Sequence, residues 1–204
     1  MIRHKVIKKL ALLVIVATLT GCGGKIKYPA YYTLNLPSAP DPPAKEGLRC
    51  SIAVREFQAP SYLRQGPVVY RRIPEEIGFY EYHRWAEDPR TVVTNAVIDH
   101  LRANGEYSAV SMYNGHADND FILSGKLEKL EEVDYDGGVK VEVELSAQLI
   151  RVKTGATIWS GAVSEVGRVS QRNMPGIVSQ MNETMETAIN KLLVGVPTPL
   201  ASER

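Results

Sequence analysis

Apolar and polar residues alternate without a break over eleven positions, in the stretch Val139-Lys140-Val141-Glu142-Val143-Glu144-Leu145-Ser146-Ala147-Gln148-Leu149. Successive side chains of a β-strand point to opposite faces of the sheet. This stretch therefore predicts an antiparallel strand that buries its valine and leucine face and exposes the other face to water.

A long strand precedes this stretch. Phe121–Val133 begins with clean alternation and then changes phase, which predicts a β-bulge near Gly125 or Lys129. The sequence Asp136-Gly137-Gly138 is typical of a hairpin turn. The two strands are therefore predicted to pair as a hairpin.

Shorter patterns predict further strands. Thr157–Val166 returns after a turn at Lys153–Ala156, so the hairpin becomes a three-stranded meander. Tyr31–Leu36 and Ser51–Phe57 are predicted as strands near the N-terminus, and Tyr107–Met112 as a strand between the first helix and the meander.

Two helices have clear boundaries. Asp88 is a suitable N-cap, Pro89 suits the first helical position, and Gly105 provides a stop. Pro175 opens a second helix, which ends before Pro197. Apolar residues recur in it at spacings of three and four: Ile177, Val178, Met181, Met185, Ala188, Ile189, Leu192 and Leu193. The chain is therefore predicted to be an α+β domain, with one mostly antiparallel sheet and two helices packed on one face.

A lipoprotein signal peptide is predicted before this domain. A basic segment and the apolar run of residues 10–20 lead to Leu19-Thr20-Gly21-Cys22, a pattern typical of a bacterial lipobox. The apolar run is too short for a transmembrane helix. An ordinary signal peptide with a chance cysteine is the alternative. A diacylglycerol and an N-acyl chain, for example palmitate, on Cys22 would anchor the protein stably.

The predicted domain boundaries follow from this processing site. Residues 1–21 form the signal peptide, 22–28 a lipidated tether, 29–197 one periplasmic domain and 198–204 a loose tail. Removing the signal peptide removes four of 24 basic residues and no acidic residue, so the net charge becomes −3. A nucleic-acid-binding protein would carry a basic stripe, so we expect no nucleic-acid partner.

No catalytic motif is recognisable, and we expect neither enzymatic activity nor a cofactor or metal. His83, His100 and His116 are scattered, and Asp118-Asn119-Asp120 is predicted to cap the following strand rather than to bind a cation. With Cys22 acylated, Cys50 has no disulfide partner, and a buried inert thiol is expected, with intermolecular pairing as the alternative. Three carboxylates are predicted to lie on the solvated face of the meander: Glu128, Glu131 and Glu132.

The region Tyr62–Trp85 is the candidate binding surface. Six of the chain's fifteen aromatic residues lie in it, interleaved with arginines, and short strands at Val68–Tyr70 and Ile77–Tyr80 predict a hairpin. Tyrosine, tryptophan and arginine are enriched at binding hot spots. The alternative is that the rings cover a sheet edge as satellite core. The candidate partner-binding residues are Tyr62, Arg64, Tyr70, Arg71, Tyr80, Tyr82 and Trp85.

Four stretches of the chain match the pattern of a known family: Tyr31-Tyr32-Thr33-Leu34, Ala59-Pro60-Ser61-Tyr62-Leu63, Val68-Val69-Tyr70-Arg71 and Arg84-Trp85-Ala86-Glu87. In these stretches the chain resembles the ABC-type transport auxiliary lipoprotein family. Asp88, between Glu87 and Pro89, departs from the family pattern just before the helix.

The resemblance implies a periplasmic subunit anchored in the outer membrane, as does the absence of an aspartate after Cys22. Its partners would be an Mce-domain protein with an ABC permease and ATPase, or a paraquat-inducible-type membrane protein. Such systems move lipids or other hydrophobic molecules between the two membranes. A periplasmic lipid carrier and an envelope-assembly lipoprotein are alternatives, and the aromatic edge is also compatible with a homo-oligomer.

Overall fold

The computed structural model describes residues 27–37, 50–116, 118–135 and 137–197. Within these ranges lie eight strands, one 3-10 helix at Ser61–Arg64 and two α-helices. The strands are β1 (Ala30–Tyr32), β2 (Ser51–Val54), β3 (Pro67–Arg71), β4 (Gly78–Trp85), β5 (Ala109–Met112), β6 (Phe121–Val133), β7 (Lys140–Arg151) and β8 (Ala156–Arg168). The helices are α1 (Pro89–Asn104) and α2 (Met174–Val194).

All eight strands form one open sheet, in which β6 has three partners. Strand β7 pairs with β6 along its whole length, and β8 pairs with β7. On its other edge, β6 pairs with β2 near its start and with β3 at its end. Strand β5 extends the sheet from β2, and β4 followed by β1 extends it from β3.

The sheet is mixed rather than mostly antiparallel. Among the described strands, four pairings are parallel, namely β1 with β4, β2 with β5, β2 with β6 and β3 with β6. The hairpin β3–β4 and the meander β6–β7–β8 are antiparallel, as the sequence predicts. The parallel pairings join strands that are distant in the chain, so the local hydrophobic period carries no information about them.

The predicted bulge is present in β6. Its register with β7 shifts between Leu127 and Lys129, which leaves Glu128 as the extra residue. Leu127 and Leu130 consequently face the same side of the sheet, and both are fully buried. The bulge thus explains the change of phase in the sequence, since one extra residue reverses the alternation.

Strand β7 has the predicted two faces. Val141, Val143, Leu145 and Leu149 are fully buried and Ala147 is buried as well, whereas the alternate side chains, from Glu142 to Gln148, are partly or fully exposed. Helix α2 packs on the buried face and contacts β7 and β8. Burying one such side chain contributes about 1.5 to 3 kcal/mol, so this layer supplies much of the stability of the domain.

Helix α1 has the predicted ends. The Asp88 carboxylate accepts a hydrogen bond from the Arg90 amide, and Gly105 has the left-handed conformation that ends many helices. Helix α1 contacts β2, β5, β6 and helix α2, so the two helices form one layer over the sheet. The two helices on one face confirm the α+β prediction.

The first strand is shorter than predicted. β1 ends at Tyr32, and the chain then leaves the sheet toward α2, where the Asn35 amide donates to Asn182 Oδ1 at 3.1 Å. Leu34 is buried on this path. It is therefore part of the hydrophobic core although it does not belong to a strand. The predicted signal peptide, Cys22 and the C-terminal tail lie outside the described residues.

Candidate functional site

A row of four rings lies along the β1–β4–β3 side of the sheet. Its members, which we call the aromatic row, are Tyr70, Tyr80, His83 and Tyr32. Neighbouring ring centroids are 4.9 Å apart for Tyr70 and Tyr80, 5.5 Å for Tyr80 and His83, and 5.6 Å for His83 and Tyr32. Tyr32 Oη also lies 3.0 Å from His83 Nδ1. Tilted and edge-to-face pairs at these distances are favourable, so each ring holds its neighbour in place.

A glycine makes room for the first ring of this row. Gly78 pairs with Tyr70 across the β3–β4 hairpin. A Cβ atom at Gly78 would overlap the Tyr70 ring, so only glycine lets the ring lie flat on the neighbouring strand. Arg72 lies over the same ring, with its guanidinium carbon 5.1 Å from the centroid. The ring is therefore fixed by strand, tyrosine and arginine contacts together.

The aromatic row is joined to the central strand by a buried carboxylate. Tyr80 Oη donates to Glu132 Oε2 at 2.7 Å, and Glu132 is only 5% exposed. Burial raises the pKa of Glu132, and the hydrogen bond from Tyr80 only partly offsets this effect. Burial and the same hydrogen bond also raise the pKa of Tyr80, so the phenol remains a donor.

A buried ion pair lies beside this contact. Arg71 Nε donates to Glu131 Oε1 at 2.6 Å, and the Glu131 side chain is 1% exposed. A second guanidinium nitrogen of Arg71 donates to the Pro74 carbonyl at 2.7 Å, which ties the hairpin turn to the strand. The hydrogen bond to Glu131 raises the pKa of Arg71, so the arginine stays charged. Removing either partner would leave a charge in the interior.

Tyr62 covers the bulge of β6. It lies in the 3-10 helix, and its hydroxyl donates to the Glu128 carbonyl at 3.2 Å. Burial, followed by the nearby Glu131 carboxylate, raises the pKa of Tyr62. The bulge frees this carbonyl from the regular ladder, and the tyrosine supplies its hydrogen bond.

The other predicted binding residues have different environments. Arg64 is exposed at the end of the 3-10 helix, and Tyr82 lies on β4 with Lys27 Nζ 4.4 Å from its ring centroid. Trp85 is 6% exposed and belongs to the core cluster. Its ring therefore packs inside the domain, which matches the satellite-core interpretation for this residue.

The sequence pattern misplaced two acidic residues. Glu131 and Glu132 are buried, although both were predicted to lie on the solvated face. After the bulge, Glu132 faces the helix layer opposite Val141, and Glu131 is covered by Arg71. The sequence contained a signal for this burial. Two adjacent acidic residues directly follow the point where the apolar alternation of β6 reverses, and neighbouring side chains of a strand point to opposite faces, so one of the two must point inward.

A polar groove of about 660 Å³ opens on the sheet face away from the helices. Small side chains of three strands, Ser124, Ser146 and Ser160, line its floor. Lys126 and Arg55 lie at its border, where Lys126 pairs with Glu128 and Arg55 lies 4.8 Å from the Tyr113 ring centroid.

The remaining polar candidates have structural roles. Asp120 Oδ2 accepts from the Ser51 amide at 2.8 Å and from its hydroxyl at 3.0 Å, so this loop caps the start of β2 and not the following strand β6, which was the prediction. His100 Nδ1 lies 2.8 Å from the Ala96 carbonyl in its own helix. Cys50 is half-buried against the core. Over residues 27–37, 50–116, 118–135 and 137–197, no three histidine, cysteine or acidic side chains form a metal-ligand group.

The described helices include none that is long and apolar enough to cross a membrane.

The fold is shared with solved structures. Protein XCC0632 from Xanthomonas campestris superposes with a TM-score of 0.70 over 81% of this chain and 93% of its own, at 16% identity. A second structure, of an uncharacterized protein, gives a TM-score of 0.62 over 80% of this chain and 95% of its own, also at 16% identity. No curated protein matches the chain.

The model of the family described as "ABC-type transport auxiliary lipoprotein component" matches residues 32–192. This match covers most of the chain, which therefore belongs to the ABC-type transport auxiliary lipoprotein family. The resemblance found in the sequence is confirmed, and the protein is a lipoprotein of a family associated with ABC-type transport.

Proposed function

We propose that the protein is an outer-membrane-anchored periplasmic subunit of an Mce/ABC-type system that moves lipids or other hydrophobic molecules between the membranes. Cys22 carries the acyl chains, and the described domain is the part that meets a partner. The observation that carries this proposal is the family match over residues 32–192, which spans both helices and the sheet.

The contact surface is proposed on the β3–β4 hairpin. Its side chains are held by the aromatic row, by Glu132 and by the pair of Arg71 with Glu131, so they lose little freedom on binding. Prearranged aromatic and arginine side chains lower the entropic cost of association. Arg72 and Ile73 are exposed at the tip of the hairpin, where a partner would reach them first.

The partner is an Mce-domain protein in this proposal, and an ABC permease with its ATPase, or a paraquat-inducible-type membrane protein, completes the system. Energy comes from these partners, and we expect no catalytic activity of this subunit. The same surface is compatible with a homo-oligomer at the end of such an assembly.

The packing of the interior favours this function over a lipid carrier. A carrier would need an apolar cavity between sheet and helices. Leu145, Met181 and Met185 meet there as fully buried side chains of one continuous core. The groove of about 660 Å³ lies on the opposite, polar face. The larger part of the lining of that groove is polar, which suits an acyl chain poorly.

Photo-cross-linking in intact cells tests the proposal. A photo-reactive residue replaces Ile73, which is 48% exposed at the hairpin, and cross-linked partners are identified by mass spectrometry. The matched control carries the same residue at Met112, which is 42% exposed on β5 at the other end of the strand order. We expect an Mce-domain protein from position 73 and not from position 112.

Other products would change the conclusion. Recovery of lipid alone would support the carrier, and recovery of outer-membrane assembly factors alone would support an assembly role. Equal recovery of the Mce-domain protein from both positions would contradict the location of the contact on the hairpin.

A further inference from the structure

The exposed aromatic side chains of the described residues lie on one side of the sheet. Among large apolar side chains that remain exposed, the aromatic ones are Tyr28 at 79%, Tyr31 at 63% and Phe79 at 39%. Tyr31 belongs to β1, Tyr28 precedes it, and Phe79 belongs to β4, the partner of β1. Aromatic rings are costly to leave in water, so this grouping indicates a surface that is covered in the cell.

The β1–β4 register places further residues with these rings. Tyr31 is paired with Arg84, and Tyr82 lies two residues before Arg84, on the same face of β4. Phe79 shares this face because the irregular register of the hairpin pairs Arg84 with Pro67 and Phe79 with Val69, two residues apart on β3. Lys27 Nζ lies 4.4 Å from the Tyr82 ring centroid. We call Lys27, Tyr28, Tyr31, Phe79 and Tyr82 the entry patch, because the chain enters the domain there.

The chemistry of the entry patch suits the boundary between lipid and water. A tyrosine joins an apolar ring to a hydroxyl, and such side chains concentrate at the headgroup level of membranes. A lysine can bury its alkyl stem while its ammonium group stays among headgroups or water. Glu81 and Arg84 lie within the same strand, so the patch has no strong net charge.

The position of Cys22 brings the entry patch close to a bilayer. Five residue steps separate Cys22 from Lys27. Even a fully extended chain spans at most about 18 Å over five residues. If the acyl chains on Cys22 are in the membrane, Lys27, the first residue of the patch, is always within that distance of the surface, and the other patch residues lie beside it. A short tether raises the effective concentration of two linked surfaces to the millimolar range, so a weak contact becomes populated.

We propose that the entry patch docks on the headgroup region of the membrane that holds the acylated Cys22. This inference rests on the lipid anchor included in the proposed function. Docking sets the orientation of the domain, with the β1 edge against the bilayer. The opposite edge, formed by β8, and the adjoining end of α2 then point away from the membrane.

Depth-dependent quenching tests this orientation on the full-length acylated protein. Cys50→Ser removes the thiol of the domain. Tyr31→Cys then introduces a single cysteine, to which an environment-sensitive fluorophore is attached. The control is Val194→Cys, which is 88% exposed at the end of α2 near β8. The proteins are reconstituted into vesicles of phosphatidylethanolamine and phosphatidylglycerol. Quenching is measured with lipid-borne spin labels and with aqueous iodide.

The expected result is blue-shifted emission at position 31, strong quenching by the lipid-borne label and protection from iodide, while position 194 shows the reverse. Equal iodide quenching at both positions would overturn the inference. Protection from iodide without quenching by lipid would also overturn it, because a second copy of the protein or another protein segment would then cover the patch.

The intact mass separates this inference from the proposed function. Purified protein without acyl chains would remove the anchor and overturn both. Acylated protein that fails the quenching test overturns only the docking of the entry patch. A further variant combines Tyr28→Ser and Tyr31→Ser, keeps Cys22, and carries the fluorophore on Phe79→Cys. If the entry patch does not dock, iodide quenches this fluorophore equally with and without the two serine substitutions. If docking occurs, the same double variant increases that quenching.

Discussion

Glu132 holds its carboxylate almost out of contact with water, with the Tyr80 hydroxyl as its hydrogen-bond donor. Burial disfavours the charged form, and the pKa of Glu132 in the folded state is therefore raised. A carboxyl group with a raised folded pKa binds its proton more tightly in the folded state. Its contribution to stability is present below the unfolded pKa of about 4.3 and is lost as the pH rises through the folded pKa.

Glu132→Gln removes this titration, because the amide stays neutral and can still accept a hydrogen bond from Tyr80. We expect the free energy of unfolding of the variant to fall less than that of the parent between about pH 4 and pH 7. Urea denaturation at a series of pH values measures the difference. Glu144→Gln, on the polar face of β7, is the control and should follow the parent. Parallel curves for parent and Glu132→Gln would refute the prediction.

Arg71 neutralises a carboxylate that water does not reach. Arg71→Ala leaves Glu131 buried without its cation, which we expect to cost about 3 kcal/mol in the free energy of unfolding. The double variant Arg71→Ala with Glu131→Gln should recover part of this loss, since the stranded charge is gone. Lys129→Ala provides a control, because its ion pairs with Glu142 and Glu144 are partly exposed to solvent and contribute about 0 to 1 kcal/mol. Equal losses for Arg71→Ala and Lys129→Ala would contradict the buried-pair interpretation.

At the scale of elements, α1 depends on its first turn. Asp88 accepts from the Arg90 amide at 3.0 Å and also pairs with the Arg90 side chain. Burial raises the pKa of Asp88, but the hydrogen bonds from Arg90 outweigh it and hold the pKa below its usual value. Asp88→Ala should lower the free energy of unfolding by about 1 kcal/mol.

Thermal or urea unfolding of Asp88→Ser is the comparison for this variant. Serine keeps a side-chain oxygen for the cap, so it should retain most of the stability that alanine loses. Similar losses for serine and alanine would show that the ion pair with Arg90, and not the cap, stabilises this end of the helix.

The elements most closely predicted from the sequence are those with a local physical signal. The alternation of β7, the caps of α1 and the bulge near Lys129 all depend on neighbours in the chain, and all three are present. The parallel pairing of β2 with β5 and β6 depends on residues about 60 to 70 positions apart, so no local period contains it. The burial of Glu131 and Glu132 was missed because it depends on Arg71 and Tyr80 from another hairpin.

For the candidate site, the sequence indicated the region but not the arrangement. The density of rings between Tyr62 and Trp85 indicated an aromatic cluster, and Tyr70 and Tyr80 form part of one on the hairpin. It could not separate Trp85, which is in the core, from Tyr70 and Tyr80, because all three have the same composition around them. Tyr32 joins the row only through the parallel pairing of β1 with β4, whereas His83 contacts Tyr80 of its own strand.

At the scale of the whole molecule, the proposed anchor makes a prediction about location. Cys22→Ala should move the protein from the membrane fraction to the soluble periplasmic fraction, because the acyl chains supply the membrane affinity. Cys50→Ala is the matched control, since this half-buried thiol lies in the domain and should leave the distribution unchanged. Retention of Cys22→Ala in washed membranes would contradict acylation as the source of attachment.

Strand β6 is the central strand that joins the other parts of the sheet. It pairs with β7 on one edge and with β2 and then β3 on the other, whereas β1 and β5 are short strands at the outside. Local opening can release β1 or β5 without disturbing the rest, but exchange of the β6 amides with solvent requires three strand pairings to separate. The amide protons of β6 near its start and its end, where it is paired on both edges, should therefore be the last to be replaced by deuterium, and their exchange rate reports the global stability of the domain.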